Sequence, residues 1–304
     1  MPNLRVIVHN ALKTGVAIPA FNVPYLPMVE PVIRAVVDQN SFALIETARL
    51  EWIKFEAGSP EDVAREFFRW QKPEHVRLHL DHVPVIDEDG QRVDYLSIIQ
   101  QAISHGYHSV MVDGSRLSLE ENIAATRQVA AIAHQGGIPC EAELGAILGH
   151  ESGLLPSYDE LFASRRGFTK VSEAHHFVAE TSCDWLSVAI GNIHGAISGE
   201  YKDQEKIAAR LNLDHLESLF QATGVPLVLH GGSGIPREYV LASFKKGITK
   251  INIGTEIRQT YEATLRSSGK VSAAQDAVYE RTKWLIGDYF GLKNLRKKVA
   301  QEAI

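Results

Sequence analysis

The segment VRLHLDHVPVIDEDGQRVDYLSIIQQAISHGYHSVMVD (residues 76–113) contains the repeating unit that decides the fold. Its ends, VRLHL (76–80) and SVMVD (109–113), are β-rich runs of the kind found in strands buried on both faces. Between them, DYLSIIQQAISHG (94–106) is amphipathic and ends in glycine, as helix C-termini often do. The segment therefore predicts a strand, a crossover helix and a second, parallel strand.

The same unit recurs along the chain. Six more strand runs bring the total to eight, at residues 16–23, 42–46, 139–144, 185–190, 226–230 and 250–254. Further amphipathic helices are predicted at 28–39, 120–137 and 237–247. Eight such units predict an α/β fold, a (β/α)₈ TIM barrel.

An open, doubly wound sheet is the competing architecture, but it would usually carry a glycine-rich first turn, and that turn here reads NVPYLP (22–27). No linker-like stretch divides the chain. We therefore expect a single TIM-barrel domain over residues 1–304, with a helical C-terminal extension from about residue 270.

Composition narrows the class of protein. Hydrophobic residues make up 45% and charged residues 22% of the chain, which is ordinary for a globular protein and excludes disorder. The net charge of −6 provides no basic surface for nucleic acid. No apolar run is long enough to cross a bilayer, and the N-terminus lacks the features of a secretory signal. We therefore expect a cytoplasmic protein that acts on a small molecule, without nucleic-acid or membrane partners.

Polar residues lie where the predicted strands end, which is where barrel enzymes place their functional groups. Three of these residues are histidines that follow the third, sixth and seventh strands: His82, His194 and His230. Imidazole suits Zn²⁺, and catalytic zinc commonly has three protein ligands and one open position. The other ten histidines fall mostly on predicted helices or loops, and we interpret them as surface residues.

Two glycine-containing loops and four acids complete the pattern. HGGSG (230–234) alone could be an ordinary tight turn. Its place after strand seven, with NIGT (252–255) after strand eight, favours the usual phosphate site of a barrel. Asp81 could act as an acid/base or orient His82. Asp113 and Glu143, buried by their strand positions, need a metal or a basic partner. Glu151, in a long loop, is either part of a lid or a solvated acid.

The order of these motifs closely resembles class II, zinc-dependent ketose-bisphosphate aldolases, especially the fructose- and tagatose-bisphosphate branch. The matching segments are AFNV (20–23), HLDH (79–82), VMVDGS (110–115), EAELG (141–145), VAIGNIHG (188–195), LHGGSG (229–234) and KINIGTE (250–256). The resemblance implies reversible aldol cleavage of a phosphorylated ketose to dihydroxyacetone phosphate and an aldehyde through a zinc-stabilised enediolate. It also implies a homodimer or homotetramer.

The resemblance assigns roles residue by residue. His82, His194 and His230 would bind zinc, and Asp113 and Glu143 would hold a second or alternative metal position. Asp81 would move the hydroxyl proton and Glu151 the carbon-bound proton. Nine positions would contact the substrate: Asn22, Gly195, Gly231, Gly232, Ser233, Asn252, Ile253, Gly254 and Thr255. A requirement for a monovalent cation stays open.

Several segments depart from the family pattern, including Val83, the acidic turn at 86–94, the end of strand two at 45–59, and Gly254. They cluster where the aldehyde half of the substrate would sit. Another phosphorylated sugar or sugar acid, of the sulfofructose phosphate or dehydro-deoxy-phosphogluconate type, therefore stays open. A metal-dependent hydrolase and a non-catalytic aldolase subunit are the remaining alternatives. Trp284, Tyr289 and Phe290 either form a subunit interface or pack on the chain's own barrel.

Overall fold

The fold is a closed barrel of eight parallel strands in which sequence neighbours are also neighbours in space. The computed structural model describes residues 2–145, 158–192, 209–232 and 234–300. The predicted TIM barrel is confirmed, and each predicted strand run overlaps an observed strand. The strands are β1 Ile18–Asn22, β2 Ala43–Ala48, β3 Val76–Pro84, β4 Ser109–Asp113, β5 Cys140–Leu144, β6 Trp185–Val188, β7 Leu227–Leu229 and β8 Ile248–Ile253.

Helices surround the barrel and follow the predicted positions. The α-helices in the described residues are α1 Leu4–Thr14, α2 Val29–Asp38, α3 Arg49–Lys54, α4 Pro60–Trp70, α5 Tyr95–Ser104, α6 Leu119–Gln135, α7 Tyr158–Ser164, α8 Val171–Thr181, α9 Leu213–Thr223, α10 Arg237–Phe244, α11 Thr255–Ser268, α12 Val271–Trp284 and α13 Arg296–Val299. Within this described part of the chain, no helix combines the length and apolarity needed to cross a bilayer.

The barrel interior changes from apolar to polar along its axis. At the N-terminal end, Ile18, Leu44 and Trp185 form one buried cluster with Ile7 and Val8 of α1. Alternate positions further along the same strands carry charged and amide side chains. Because residues two apart on a strand share a face, these polar groups line the barrel interior towards the strands' C-terminal ends. Helix α1 therefore closes the apolar end of the barrel, and the polar end is left for a functional site.

Strand β3 contains an irregularity at the residues of greatest interest. Its pairing with β4 shifts register between Leu80 and Val83, and His82 has a positive φ of 30°. In a regular strand Asp81 and His82 would point to opposite faces, because successive side chains alternate. The extra residue of a bulge re-aims a side chain. The bulge thus allows both Asp81 and His82 to reach the same end of the barrel interior.

The predicted C-terminal extension is helical, with α12 packing against α2 and α11. Phe290 is buried against Phe244, with ring centroids 6.4 Å apart, so this side chain packs on the chain's own barrel. Trp284 is 38% exposed. Of the two residues, Trp284 therefore stays available for the predicted subunit interface.

Candidate active site

Two of the three predicted zinc ligands face each other across the mouth of the barrel. Strand β3 carries His82, and His230 follows β7; the Nε2 atom of His82 lies 2.7 Å from the Nδ1 atom of His230. Both can offer donor atoms, together with Asp81, within 4.8 Å of one another. The third predicted ligand, His194, lies outside the described residues. The structure therefore brings together the two predicted ligands that lie in its described residues.

Asp113 and Glu143 flank this histidine pair. Asp113 Oδ2 lies 3.4 Å from His82 Nδ1, and Glu143 Oε2 lies 3.3 Å from His230 Nδ1. With His82, the two carboxylates form a second group of donor atoms close enough to hold an ion. Asp113 also accepts a hydrogen bond from the backbone N–H of Ser115 at 2.9 Å.

The electrostatics of the pair suit a cation. Burial lowers the pKa of His82, but the negative charges of Asp81, Glu143 and Asp113 outweigh it, so the pKa lies well above the usual value. A position that binds protons this strongly lies in a strongly negative potential. Facing imidazole nitrogens with carboxylates around them are the donors that zinc and related divalent ions use. The residues present therefore fit a zinc ion.

Asp81 is held by two amides. Its Oδ2 atom accepts a hydrogen bond from Asn22 Nδ2, and its Oδ1 atom accepts one from Asn252 Nδ2, each at 2.9 Å. Asp81 is 2% exposed. Burial raises the pKa of Asp81, but the positive charges of His82 and Lys250 bring it below the ordinary value. Asp81 is therefore an oriented, ionised carboxylate beside the histidine pair, in a position to accept a proton.

Beneath Asp81 lies a layer of buried titratable residues that the sequence interpretation missed. It consists of Glu46, His79, Glu141 and Lys250, each at most 2% exposed. The expectation that histidines outside the zinc set lie at the surface is wrong for His79, because β3 directs it inward with Asp81. A usable signal was present, since His79 and Asp81, Glu141 and Glu143, and Lys250 and Asn252 are spaced two apart on otherwise apolar strands.

The predicted phosphate loops lie side by side. The backbone N–H of Gly232 donates to the carbonyl of Asn252 at 3.1 Å, which ties the loop after β7 to β8. A Cβ at Gly232 would lie 2.7 Å from Ile251 Cγ1, so the close approach requires glycine. Gly254 and Thr255 begin α11, where unpaired N–H groups favour an anion.

The remaining predicted substrate contacts fall into two groups. The side chain of Ile253 is buried in the core, so its backbone is the part that could face a ligand. Gly195, Ser233 and the loop acid Glu151 lie outside the described residues. Their assignments stay predictions.

Two of the segments that depart from the family pattern, the end of strand two and the acidic turn after β3, meet at one side of the mouth. Arg49, which follows β2, pairs with Asp87 in the turn after β3, with Nη1 and Oδ2 3.5 Å apart. Glu51 is buried nearby and accepts a hydrogen bond from the backbone N–H of Ala48 at 2.8 Å. Burial raises its pKa to about 8. Since Ala48 pairs with Asp81 in the sheet, this side of the mouth adjoins the predicted acid/base residue.

Comparisons with known proteins agree with this geometry. A family model described as class II fructose-bisphosphate aldolase matches residues 2–303. The chain is 34% identical over 284 residues to fructose-bisphosphate aldolase from Streptococcus pneumoniae serotype 4, covering 91% of this chain and 86% of that one. It is 33% identical over 282 residues to the enzyme of the same name from Streptococcus pyogenes serotype M3, with the same coverage of 91% and 86%.

A solved structure is also similar. The YdjI aldolase from Escherichia coli K12 superposes with a TM-score of 0.75 at 29% sequence identity, covering 96% of this chain and 97% of that one. Three findings agree. The family model matches nearly the whole chain, the streptococcal enzymes are similar to it in sequence, and the YdjI aldolase shares its barrel. The chain belongs to the class II fructose-bisphosphate aldolase family.

Proposed function

We propose that this chain is a zinc-dependent aldolase that reversibly cleaves a phosphorylated ketose, of the fructose- or tagatose-bisphosphate type, into dihydroxyacetone phosphate and an aldehyde. The observation that carries the proposal is the juxtaposition of a facing pair of imidazoles, His82 and His230, with an ionised carboxylate, Asp81, held by two amides. Family membership supports the reaction class, and the donor set supports the metal.

His82 and His230, with the predicted ligand His194, would hold the zinc ion, and Asp113 and Glu143 lie close enough to provide a second or alternative position. When bound, the ion would act as a Lewis acid for the negative charge that develops as the carbon–carbon bond breaks. A monovalent cation in addition stays an open expectation.

Asp81 would take the hydroxyl proton. Ionised carboxylate oxygens accept hydrogen bonds through two lone pairs each, so the bonds from Asn22 and Asn252 leave acceptor capacity on both oxygens. The two amides also fix the plane of the carboxylate, which reduces the reorganisation needed during proton transfer. The loop acid Glu151 would move the carbon-bound proton, as the family resemblance implies.

The phosphate of the retained half would bind where the loops after β7 and β8 meet. Gly231, Gly232, Gly254 and Thr255 line this place, and the N-terminus of α11 favours a dianion. Binding energy from this remote group can orient the reacting carbons. We expect the same loops to hold the dihydroxyacetone phosphate released on cleavage.

A lysine Schiff base is the other common route to aldol cleavage, and Lys250 lies in the barrel interior. Lys250 Nζ is 2.9 Å from Glu141 and 3.2 Å from Glu46. Burial lowers the pKa of Lys250, but these acids outweigh it and hold the pKa above the usual value. A Schiff base requires the neutral amine. The ion pairs therefore favour the metal route, and borohydride should trap no enzyme-bound substrate.

The aldehyde half is the least determined part of the substrate. The wall of Arg49, Asp87 and Glu51 differs from the family pattern and adjoins Asp81, so a different phosphorylated sugar or sugar acid stays a candidate. We also expect a homodimer or homotetramer in the cytoplasm. Cleavage rates on a panel of ketose bisphosphates and related acids, with gel filtration, would determine both.

Proton exchange tests the reaction without knowledge of the aldehyde. Zinc-loaded protein is incubated with dihydroxyacetone phosphate in deuterated water, and loss of the carbon-bound proton is followed by NMR. We expect exchange that chelation abolishes and that His230→Ala lacks, whereas His175→Ala, at an exposed position on α8, retains it.

The other outcomes separate the alternatives. Exchange that survives prolonged chelation would contradict the zinc proposal. Binding of dihydroxyacetone phosphate without exchange would contradict the role of Glu151. Release of phosphate without any aldehyde would indicate a hydrolase, and absence of binding would favour a non-catalytic subunit.

A further inference from the structure

Lys250 is a buried ammonium group below the active site. It is 2% exposed, and its Nζ atom lies 2.9 Å from Glu141 Oε2 and 3.2 Å from Glu141 Oε1. Glu46 Oε2 is 3.2 Å away and Asp81 Oδ1 is 3.9 Å away. Burying a charge costs free energy unless the charge is paired, and the carboxylates around Lys250 provide that pairing.

Glu141 connects this lysine to a predicted zinc ligand. Its Oε1 lies 2.8 Å from His230 Nε2, and its Oε2 accepts a hydrogen bond from Trp185 Nε1 at 2.7 Å. Glu141, Trp185 and His230 are all at most 1% exposed. Since each of these groups is enclosed in the barrel, the carboxylate has little room to rotate.

The hydrogen-bond partners of Glu141 determine what His230 does. Lys250 Nζ lies 2.9 Å and 3.2 Å from the two oxygens of this carboxylate, and Trp185 Nε1 donates to Oε2. A carboxylate that faces an ammonium group and an indole N–H is an acceptor, so the Nε2 atom of His230 carries the proton in the hydrogen bond between them. In a neutral ring the lone pair then lies on Nδ1, which is the nitrogen that faces His82.

We propose that Lys250 is a positioning residue for metal binding: its ammonium group holds Glu141 so that Glu141 accepts Nε2–H of His230 and directs Nδ1 of that ring to the metal. The inference extends the proposed function, because it assumes that His230 is a metal ligand. Carboxylates that orient ligating histidines are common in metal sites, and their loss typically lowers metal affinity by about 10- to 100-fold. Here the lysine provides the further support that keeps the carboxylate in place.

Zinc affinity provides the main test. Lys250→Met removes the charge at similar length, and Glu141→Gln removes the acceptor charge while keeping the shape. Competition with a chromophoric chelator should show about 10- to 100-fold weaker zinc binding in each variant. The double variant should lose much less than the product of the two single losses, because both changes break the same chain of contacts.

Arg77→Met is the matched control for the loss of a buried cation. Arg77 is 7% exposed on β3, and its guanidinium donates to the backbone carbonyl of Val76 at 2.9 Å, at the start of the strand. The control should lower stability without changing zinc affinity. Cobalt-substituted proteins provide a spectroscopic readout, since the visible spectrum should shift in Lys250→Met and stay unchanged in Arg77→Met.

The ring nitrogen that binds metal can be tested in the unmodified chain, which keeps the inference falsifiable even if Lys250→Met does not fold. In protein loaded with ¹¹³Cd and labelled with ¹⁵N-histidine, His230 should couple to cadmium through Nδ1 and carry its proton on Nε2. Coupling through Nε2 would overturn the inference. Zinc affinity equal to that of the unmodified chain in both Lys250→Met and Glu141→Gln would also overturn it.

Failure of the two proposals can be told apart. If the unmodified chain binds no divalent metal at the His82–His230 pair, the proposed zinc function fails and the positioning role fails with it. If the unmodified chain binds zinc and exchanges the substrate proton but the Lys250 and Glu141 variants bind zinc equally well, the aldolase proposal stands and Lys250 has no positioning role.

Discussion

Replacing Asn22 with leucine should slow carbon–carbon bond cleavage and leave zinc bound. The change removes one of the two amide groups that donate to Asp81. The lost hydrogen bond is 2.9 Å long, and Asp81, which accepts it, is 2% exposed. Hydrogen bonds to charged groups contribute about 1.5–3 kcal/mol. If the ionised, oriented form of Asp81 is the proton acceptor, that free energy corresponds to a loss of about 10- to 150-fold in kcat.

The assay couples dihydroxyacetone phosphate release to NADH oxidation, with zinc content measured on the same samples. Asn3→Leu, which removes the N-cap of α1 at the opposite, apolar end of the barrel, is the control and should cost stability only. Proton exchange into dihydroxyacetone phosphate should persist in Asn22→Leu if Asn22 acts through Asp81. Parallel loss of exchange would instead support the sequence-based expectation that Asn22 contacts the substrate. A kcat within twofold of the unmodified chain, with normal zinc content, would refute the reasoning.

Three further predictions concern metal dependence and stability. Dialysis against a strong zinc chelator should abolish cleavage and added zinc should restore it; activity that survives metal removal, verified by elemental analysis, would contradict the metal role. Burial and Arg77 lower the pKa of His108 to about 4. Because the unfolded chain takes up that proton from about pH 6.5 downward, stability should fall between pH 7.5 and 5 by about 2 kcal/mol more than in His108→Gln. Urea unfolding measures this, His175→Gln is the control, and equal acid sensitivity of both variants would refute it. Asp184 accepts hydrogen bonds from Cys140 N at 2.7 Å and His134 Nε2 at 2.9 Å, so Asp184→Asn should lower the free energy of unfolding by about 2 kcal/mol. An unchanged midpoint of urea unfolding in Asp184→Asn would contradict this prediction.

The strands were predictable because their physical cause is local. Runs such as SVMVD (109–113) and KINIG (250–254) are buried on both faces in a barrel, and burial selects apolar side chains at nearly every position. The helices between them carry amphipathic patterns and caps that a single sequence shows directly. The closure into a barrel followed from the number and spacing of these units.

The interior charges were harder to predict. Which residues of a strand face inward depends on register, and a single irregularity reverses the alternation. If side chains alternated regularly along β3, His79 and Asp81 would face inward and His82 would face the helices. Only the bulge brings His82 to the mouth of the barrel. The pairing of Lys250 with Glu141 joins two strands that are far apart in sequence, so no local pattern could specify it.

The bulge in β3 has a consequence for protein engineering. The letters HLDH at 79–82 are not a portable motif, because the same four residues in a regular barrel strand would project His82, the proposed metal ligand, into the helical layer. A graft onto another scaffold would have to bring one extra residue of strand length and a neighbour that tolerates the shifted pairing. Conversely, the two residues between Leu80 and Val83 are Asp81 and His82 themselves, so the strand cannot be shortened at the bulge without losing either the proposed proton acceptor or the proposed metal ligand.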